Sequence, residues 1–206
     1  MPYTFNARTF RDLENLTNQL AHGFVDIGIQ RGTKTILMLE VGEDLFLVIF
    51  ALFKIGAVPI IVDPGMGLNR MLHCYREVGA EALIGLPIAH LVKTLRPATF
   101  ASIEVHVTSG RWGGHALEDL YRDNGPFELP TIQGEDLLMI LFTTGSTGPA
   151  KGVEYTHHMV NALLEQMSSV CDVIDGAYGL VTLPMFTLID VLNGCPAVLA
   201  PMDPTR

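Results

Sequence analysis

The feature that most limits what this chain can fold into is a regular alternation of two hydrophobic patterns. Short, continuous apolar runs of strand length alternate with segments whose apolar positions recur every three or four residues, as on one face of a helix. This alternation predicts right-handed crossovers between neighbouring strands. The expected fold class is therefore α/β, an α/β sandwich of mostly parallel sheets flanked by helices.

The limits of the predicted elements follow from capping and turn residues. Thr9 is a suitable N-cap for the first helix, and glycines such as Gly28 and Gly56 are suitable stops. A looser connection is expected around 108–135, where glycine and proline interrupt the alternation. The pattern predicts helices over 10–27, 44–55, 68–78, 89–95 and 157–171, and strands over 35–40, 58–62, 82–86, 103–107, 137–142, 153–155, 180–184 and 197–200.

Charge and cysteine content exclude several classes of protein. The net charge of -9 argues against a nucleic-acid or anionic-membrane partner, because the phosphates of either would repel the molecule at long range. The three cysteines, Cys74, Cys171 and Cys195, are widely spaced and form no Cys-x-x-Cys pair, so neither a disulfide framework nor a zinc site is indicated. A reducing, cytoplasmic setting is the expectation.

One stretch, 45–62, is apolar enough and long enough to resemble a membrane span. It contains Lys54, Gly56 and Pro59, which divide it into a helix followed by a strand. No transmembrane segment is therefore expected, and the first residues show no basic and apolar pattern of a secretory signal.

A loop rich in glycine and hydroxyl groups directly follows the apolar run 137–142 and reads Thr-Thr-Gly-Ser-Thr-Gly-Pro-Ala-Lys-Gly from Thr143 to Gly152. Glycines let backbone amides approach an anion without an intervening Cβ, and Lys151 adds a mobile positive charge. The loop leaves the end of a predicted strand, which is where open α/β sheets bind ligands. The pattern thus predicts a phosphate-binding loop.

Other glycine-rich loops have different spacing. The phosphate loop of ordinary NTPases needs four residues between its glycines and a Lys directly after the second, whereas Gly145 and Gly148 are separated by two residues. Ser146 does not lie in the Gly-x-Ser-x-Gly pattern of a nucleophile elbow, and the dinucleotide-binding pattern is absent too. The simpler alternative is a surface loop without a ligand, since Gly, Ser, Thr and Pro are ordinary loop residues.

The ten residues from Thr143 to Gly152 resemble the phosphate-binding signature of the adenylate-forming superfamily, which includes acyl-CoA synthetases, luciferases and peptide-synthetase adenylation domains. Ala150 stands where that signature usually has proline. The segment 51–64, with its Asp63-Pro64 turn, is similar to a helix and strand that precede the signature in the superfamily. Together with the final residues 201–206, these features look most like the olefin β-lactone synthetases of bacterial hydrocarbon biosynthesis.

The resemblance implies that residues 1–206 are part of an N-terminal AMP-binding domain, with the rest of that domain and the C-terminal domain absent. It implies that ATP is bound with Mg²⁺, whose carboxylate ligand would lie beyond Arg206, so neither a complete metal site nor a catalytic residue is assigned. Phe186 and Thr187 fall in a segment similar to the acyl pocket. The residues implied to hold the ATP phosphates are Thr143, Thr144, Gly145, Ser146, Thr147, Gly148 and Lys151.

The implied reaction is ATP-dependent activation of a carboxylic acid by transfer of AMP. In the subfamily that the chain resembles, a long-chain 2-alkyl-3-hydroxy fatty acid is adenylated, and its own hydroxyl group then displaces AMP to form a β-lactone. The alternatives are a fatty-acyl-CoA or acyl-carrier ligase and a non-catalytic nucleotide-binding or assembly fragment. The isolated chain is expected to show little or no turnover and to self-associate through apolar surfaces and strand edges.

Overall fold

The computed structural model describes residues 6–143, 150–170, 178–181 and 184–199. Helices and strands alternate along these residues, and the predicted α/β class is confirmed. The helices are α1 (Phe10–Asp26), α2 (Glu43–Ile55), α3 (Leu68–Val78), α4 (Pro87–Leu95), α5 (His157–Val170) and α6 (Pro184–Leu192). The strands are β1 (Lys34–Met38), β2 (Val58–Val62), β3 (Ala82–Gly85), β4 (Val105–Thr108), β5 (His115–Ala116), β6 (Leu137–Thr143), β7 (Lys151–Thr156), β8 (Gly179–Val181) and β9 (Ala197–Leu199).

The chain divides into two compact units, the first made of residues 1–59 and 75–131, the second of 60–74 and 132–206. In the first unit the strands follow the order β5-β4-β3-β1-β2. The pairs β1–β3, β3–β4 and β4–β5 are parallel, as expected for strands joined by helical crossovers. The apolar strand β3 is buried along its whole length, as is typical of a strand covered on both faces.

The second unit contains the end of β2 and the strands β6 to β9. Ile60 to Val62 of β2 pair in parallel with 140–142 of β6, and β6 pairs with β7 in antiparallel fashion. The β6–β7 ladder contains a bulge, because Leu137 lies opposite Thr156 and Met139 lies opposite Tyr155. The described strands therefore form mixed, mostly parallel pairings, and β8 and β9 make a separate parallel pair against which α6 packs.

The first helix shows how local sequence sets an element's limits. The Thr9 side chain accepts a hydrogen bond from the Asp12 backbone N–H at 3.1 Å, and the Asp12 carboxylate accepts one from the Thr9 N–H at 2.9 Å. This capping box begins α1 at Phe10, as the sequence predicts. Leu20 and Phe24 of α1 are fully buried in the first unit, and α1 contacts α2 there.

Gly23 permits an unusually close approach between α1 and the short 3₁₀ turn at 117–120. A Cβ atom added to Gly23 would lie 1.8 Å from the Leu120 carbonyl oxygen and 2.7 Å from the carbonyl carbon. Real side chains do not make contacts this short, so only glycine fits between these two pieces of backbone.

The predicted strand over 180–184 is wrong at its carboxyl end. The strand β8 ends at Val181, and Pro184 is the first residue of α6. Proline is favoured at this position because its fixed φ suits a helix and its missing N–H would have no partner inside the helix anyway. Among the described residues, no helix combines the length and the apolar character needed to cross a lipid bilayer.

Candidate functional site

The described ends of the predicted phosphate-binding segment, Thr143, Lys151 and Gly152, lie where β6 and β7 pair. Thr143 is the last residue of β6 and pairs with Lys151, the first residue of β7. The expectation that the loop extends from Thr143 to Gly152 is thus wrong at both ends, because ladder pairing draws these residues into strands. The other predicted phosphate ligands lie outside the described residues: Thr144, Gly145, Ser146, Thr147 and Gly148.

Lys151 is brought to this strand end by main-chain pairing. Lys151 is solvent-exposed. Its ladder partner Thr143 lies at the carboxyl end of β6, which runs parallel to β2. The structure thereby places a cation where open α/β sheets receive their ligands. An exposed ammonium group is a flexible point charge with three donors, which suits it to a polyanion.

In the next pair, Phe142 and Gly152, the Phe142 ring lies against the glycine. A Cβ atom on Gly152 would lie 2.7 Å from the Cζ atom of Phe142 and 3.0 and 3.2 Å from the two Cε atoms. The Phe142 ring is buried, with 8% of its surface exposed. The ring therefore occupies the space that a side chain at position 152 would need.

A compact turn follows β2 beside the end of β6. The Asp63 backbone N–H donates a hydrogen bond to the Phe142 carbonyl oxygen at 3.3 Å. Its side-chain Oδ1 accepts a hydrogen bond from the Gly65 N–H at 2.8 Å, and its carbonyl oxygen accepts one from the Met66 N–H at 3.2 Å. These bonds define an Asx-type turn that contacts the main chain one residue before Thr143.

The histidine pair that follows β7 lies at the start of α5. The backbone N–H of His157 donates to the Asp136 carbonyl oxygen at 3.1 Å, and that of His158 donates to the Gly134 carbonyl oxygen at 2.8 Å. Burial lowers the pKa of the His157 imidazole, and the nearby Asp136 opposes that shift. The main-chain donors of this helix start are thus already engaged within the protein.

No group of three or more His, Cys, Asp or Glu side chains in the described ranges is placed to hold a metal ion.

The two residues predicted to line an acyl pocket lie in α6 rather than at the end of a strand. Phe186 is 47% exposed, whereas Thr187 is 4% exposed and its hydroxyl oxygen has no hydrogen-bond partner among the described residues. Adjacent residues of a helix point about 100° apart, which explains their different surroundings. The structure therefore places only Thr187 in an enclosed position, and the role of both residues stays a prediction.

Sequence reasoning did not assign Asp63 or the Phe142–Gly152 contact to the site. Asp63 could have been found from the rule that parallel strands end at the same edge, because both β2 and β6 are followed by turn-forming residues. The contact depends on the antiparallel register of β6 and β7, for which the sequence contains no comparable signal.

The parallel strand pairing, with the glycine-rich segment following β6, is the arrangement expected for the N-terminal portion of an adenylate-forming protein. A comparison with family models confirms that class, since the AMP-binding enzyme family matches residues 3–201. The chain belongs to the AMP-binding enzyme family.

Two curated relatives are olefin beta-lactone synthetases. The protein of Stenotrophomonas maltophilia (strain K279a) is 40% identical over 204 residues, which cover 96% of this chain and 36% of that protein. The protein of Xanthomonas campestris pv. campestris is 35% identical over 202 residues, with the same two coverages of 96% and 36%. The chain thus spans about a third of the length of these curated relatives.

Solved structures share the fold at lower sequence identity. The apo structure of MbtA from Mycobacterium smegmatis matches with a TM-score of 0.81 and 21% identity, over 97% of this chain and 40% of that one. The N-terminal domain of FACL13 from Mycobacterium tuberculosis matches with a TM-score of 0.78 and 21% identity, over 95% and 50%. These similarities support the fold.

Proposed function

We propose that this chain is the N-terminal part of an ATP-dependent ligase that adenylates a long-chain 2-alkyl-3-hydroxy fatty acid, with β-lactone, AMP and pyrophosphate as final products. Membership of the AMP-binding enzyme family supports the use of ATP. The 40% and 35% identities to olefin beta-lactone synthetases support the choice of acid and product.

The observation that carries the proposal is the β6–β7 hairpin, which holds Lys151 opposite Thr143 at the carboxyl end of β6. Attack of a carboxylate on ATP brings two anions together, so the site must neutralise and orient the phosphates. Lys151 would offset part of that negative charge. Residues 144–148 would donate backbone and hydroxyl hydrogen bonds to the β- and γ-phosphates, and a bound Mg²⁺ ion would supply further charge neutralisation.

After adenylation the acyl carbonyl carries a good leaving group, AMP. In the proposed reaction the 3-hydroxyl oxygen of the same acid attacks this carbonyl carbon, the bond to AMP breaks, and the hydroxyl proton is released. The acyl chain would lie near α6, where Thr187 is enclosed and Phe186 is exposed. No external acceptor is required for this step.

A second candidate is a fatty-acyl-CoA ligase, in which a thiol takes the place of the internal hydroxyl group. It is favoured by a 26% identity over 189 residues to the long-chain-fatty-acid--CoA ligase FadD13 of Mycobacterium tuberculosis. Mass spectrometry of the products formed by the protein encoded by the complete reading frame, with a 2-alkyl-3-hydroxy acid, ATP and CoA, separates the two. A β-lactone supports the first candidate and an acyl-CoA supports the second.

The isolated chain should bind its ligand without completing the reaction. Because it spans 36% of its olefin beta-lactone synthetase relatives, we expect it to bind polyphosphate but to show little or no turnover. We also propose that the chain self-associates and that its setting is cytoplasmic. Strand β7 ends the strand order and contains the partly exposed Val153, which gives another chain an edge to pair with.

Replacement of Lys151 tests the phosphate-binding role directly. Inorganic triphosphate is a suitable probe, because it presents the polyphosphate without adenine or ribose, and its affinity for the 206-residue chain can be measured by titration calorimetry. We expect Lys151→Met to weaken binding about tenfold or more, since a hydrogen bond to a charged group contributes roughly 1.5–3 kcal/mol.

The matched control is Lys93→Met, which removes the same charge from α4 in the first unit. Triphosphate affinity should be unchanged in this control. Equal affinities of wild type and Lys151→Met would overturn the proposed function.

A further inference from the structure

The contact between Phe142 and Gly152 defines which way the neighbouring lysine points. Phe142 and Gly152 are paired residues of the antiparallel ladder, and the Phe142 ring lies over the place of a Gly152 side chain. Successive side chains of a strand point to opposite faces. Lys151 therefore projects from the face of the hairpin opposite to the buried Phe142 ring.

The same phenylalanine is held by main-chain contact on its other side. In β2 its parallel partner is Val62, and the next residue, Asp63, donates its backbone N–H to the Phe142 carbonyl oxygen at 3.3 Å. The Asp63 turn is internally bonded through Oδ1 to the Gly65 N–H at 2.8 Å. Met66 anchors the turn, because its side chain is 6% exposed and its Sδ atom lies 3.9 Å from the Cys74 Sγ atom.

We propose that Asp63, Phe142 and Gly152 are positioning residues that fix the last rungs of the β6–β7 ladder and thereby aim Lys151 at a bound polyphosphate. The inference rests on the proposed function, since it needs Lys151 to meet phosphate. Asp63, Phe142 and Gly152 would act through the position of Lys151 and need not touch the ligand. Gly152 is required at its position because any larger residue displaces the ring.

The first test is Gly152→Ala in the 206-residue chain, with inorganic triphosphate as the probe. The added methyl group meets the Phe142 ring at 2.7 Å, so either the ring or β7 must move. We expect triphosphate affinity to fall about fivefold or more, because a displaced lysine loses part of a charge-assisted hydrogen bond. The control Gly134→Ala adds a methyl group 3.5 Å from the His158 Cβ atom, an ordinary contact, and should leave affinity unchanged.

A compensating change makes the test specific. In the double variant Phe142→Leu/Gly152→Ala, the smaller side chain makes room for the methyl group, and we expect affinity to return to within about twofold of Phe142→Leu alone, as expected for coupled neighbours. Urea unfolding of each variant reports stability separately. A loss of affinity in Gly152→Ala that Phe142→Leu does not restore would overturn the positioning role.

The Asp63 turn gives a second measurement that does not depend on the folding of the glycine variant. Asp63→Asn and Asp63→Ala remove the same negative charge, but only Asn keeps an oxygen acceptor for the Gly65 N–H, so Asp63→Ala should bind triphosphate more weakly than Asp63→Asn. Equal affinities of Asp63→Ala and Asp63→Asn would refute the role of the turn. If Lys151→Met also binds normally, the proposed function itself fails; if only Lys151→Met binds weakly, the positioning inference alone fails.

Discussion

Gly23→Ala sets two well-characterised effects against each other. Within a helix such as α1, alanine is favoured over glycine by about 1 kcal/mol, because glycine loses more conformational freedom on folding. On that basis alone the substitution would stabilise the protein. The structure predicts the opposite, since the new Cβ atom would lie 1.8 Å from the Leu120 carbonyl oxygen.

The size of the effect follows from what must move. The atoms that the methyl group meets are the oxygen, carbon and Cα of the Leu120 backbone, at 1.8, 2.7 and 3.0 Å, so no side-chain rotation relieves the overlap. Leu120 is 2% exposed and belongs to the turn packed against α1, so the turn and its buried side chain must move together. Overpacking costs typically 1–3 kcal/mol, and a clash with backbone belongs in the upper part of that range, so after the helix gain of about 1 kcal/mol we expect a net loss of about 1–2 kcal/mol.

Urea unfolding followed by circular dichroism measures this difference, read as a change in the unfolding midpoint at constant slope. Gly134→Ala is the control, because Gly134 lies outside the helices and strands and its added Cβ would meet the His158 Cβ atom at 3.5 Å, an ordinary contact. The control should change stability by less than about 0.5 kcal/mol. An unfolding free energy for Gly23→Ala equal to or above that of wild type would refute the close approach of α1 and the 117–120 turn.

Two further predictions concern the first unit. Thr9→Ala should lower the free energy of unfolding, measured with urea, by about 1 kcal/mol, because it removes the N-cap of α1. Thr9→Ser keeps a capping hydroxyl group and should lose much less stability; equal losses in both variants would contradict the capping role. Burial lowers the pKa of His90 below its ordinary value of 6.5, so the folded state favours the neutral imidazole. The stability that this preference contributes should be fully present above about pH 6.5 and should be lost as the pH falls toward the lowered pKa. Urea midpoints between pH 7.5 and 5.5 should depend less on pH in His90→Gln than in wild type, and an unchanged dependence would contradict this assignment.

Most of the fold follows from local signals. Thr9 begins α1, Gly56 takes a left-handed φ of 76° at the end of α2, and β2 and α3 have the predicted limits. In each case the determining residue lies within the element or directly beside it. The sequence pattern predicts no helix at α6, because the run 180–184 is apolar enough to read as a strand and Pro184 fits either a strand end or the first turn of a helix.

The sequence predicts which residues form the candidate site, and that assignment stays a prediction, but it does not predict their arrangement. In particular, it does not show that Thr143 and Lys151 are paired strand residues. That pairing depends on ladder bonds between residues that meet only after folding. The packing of Phe142 over Gly152 depends in addition on the register, which a shift of one residue would reverse.

The bulge near the start of β6 has a consequence for which changes in chain length the hairpin can accept. An extra residue already stands at Leu138, between the pairs Leu137–Thr156 and Met139–Tyr155. Natural variation that adds or removes a residue here can alter the bulge and leave the rungs nearer the turn intact. An insertion between Met139 and Phe142 has no such outlet and would exchange inward and outward side chains, so length polymorphism among homologous hairpins should concentrate at the bulge and be rare beyond it.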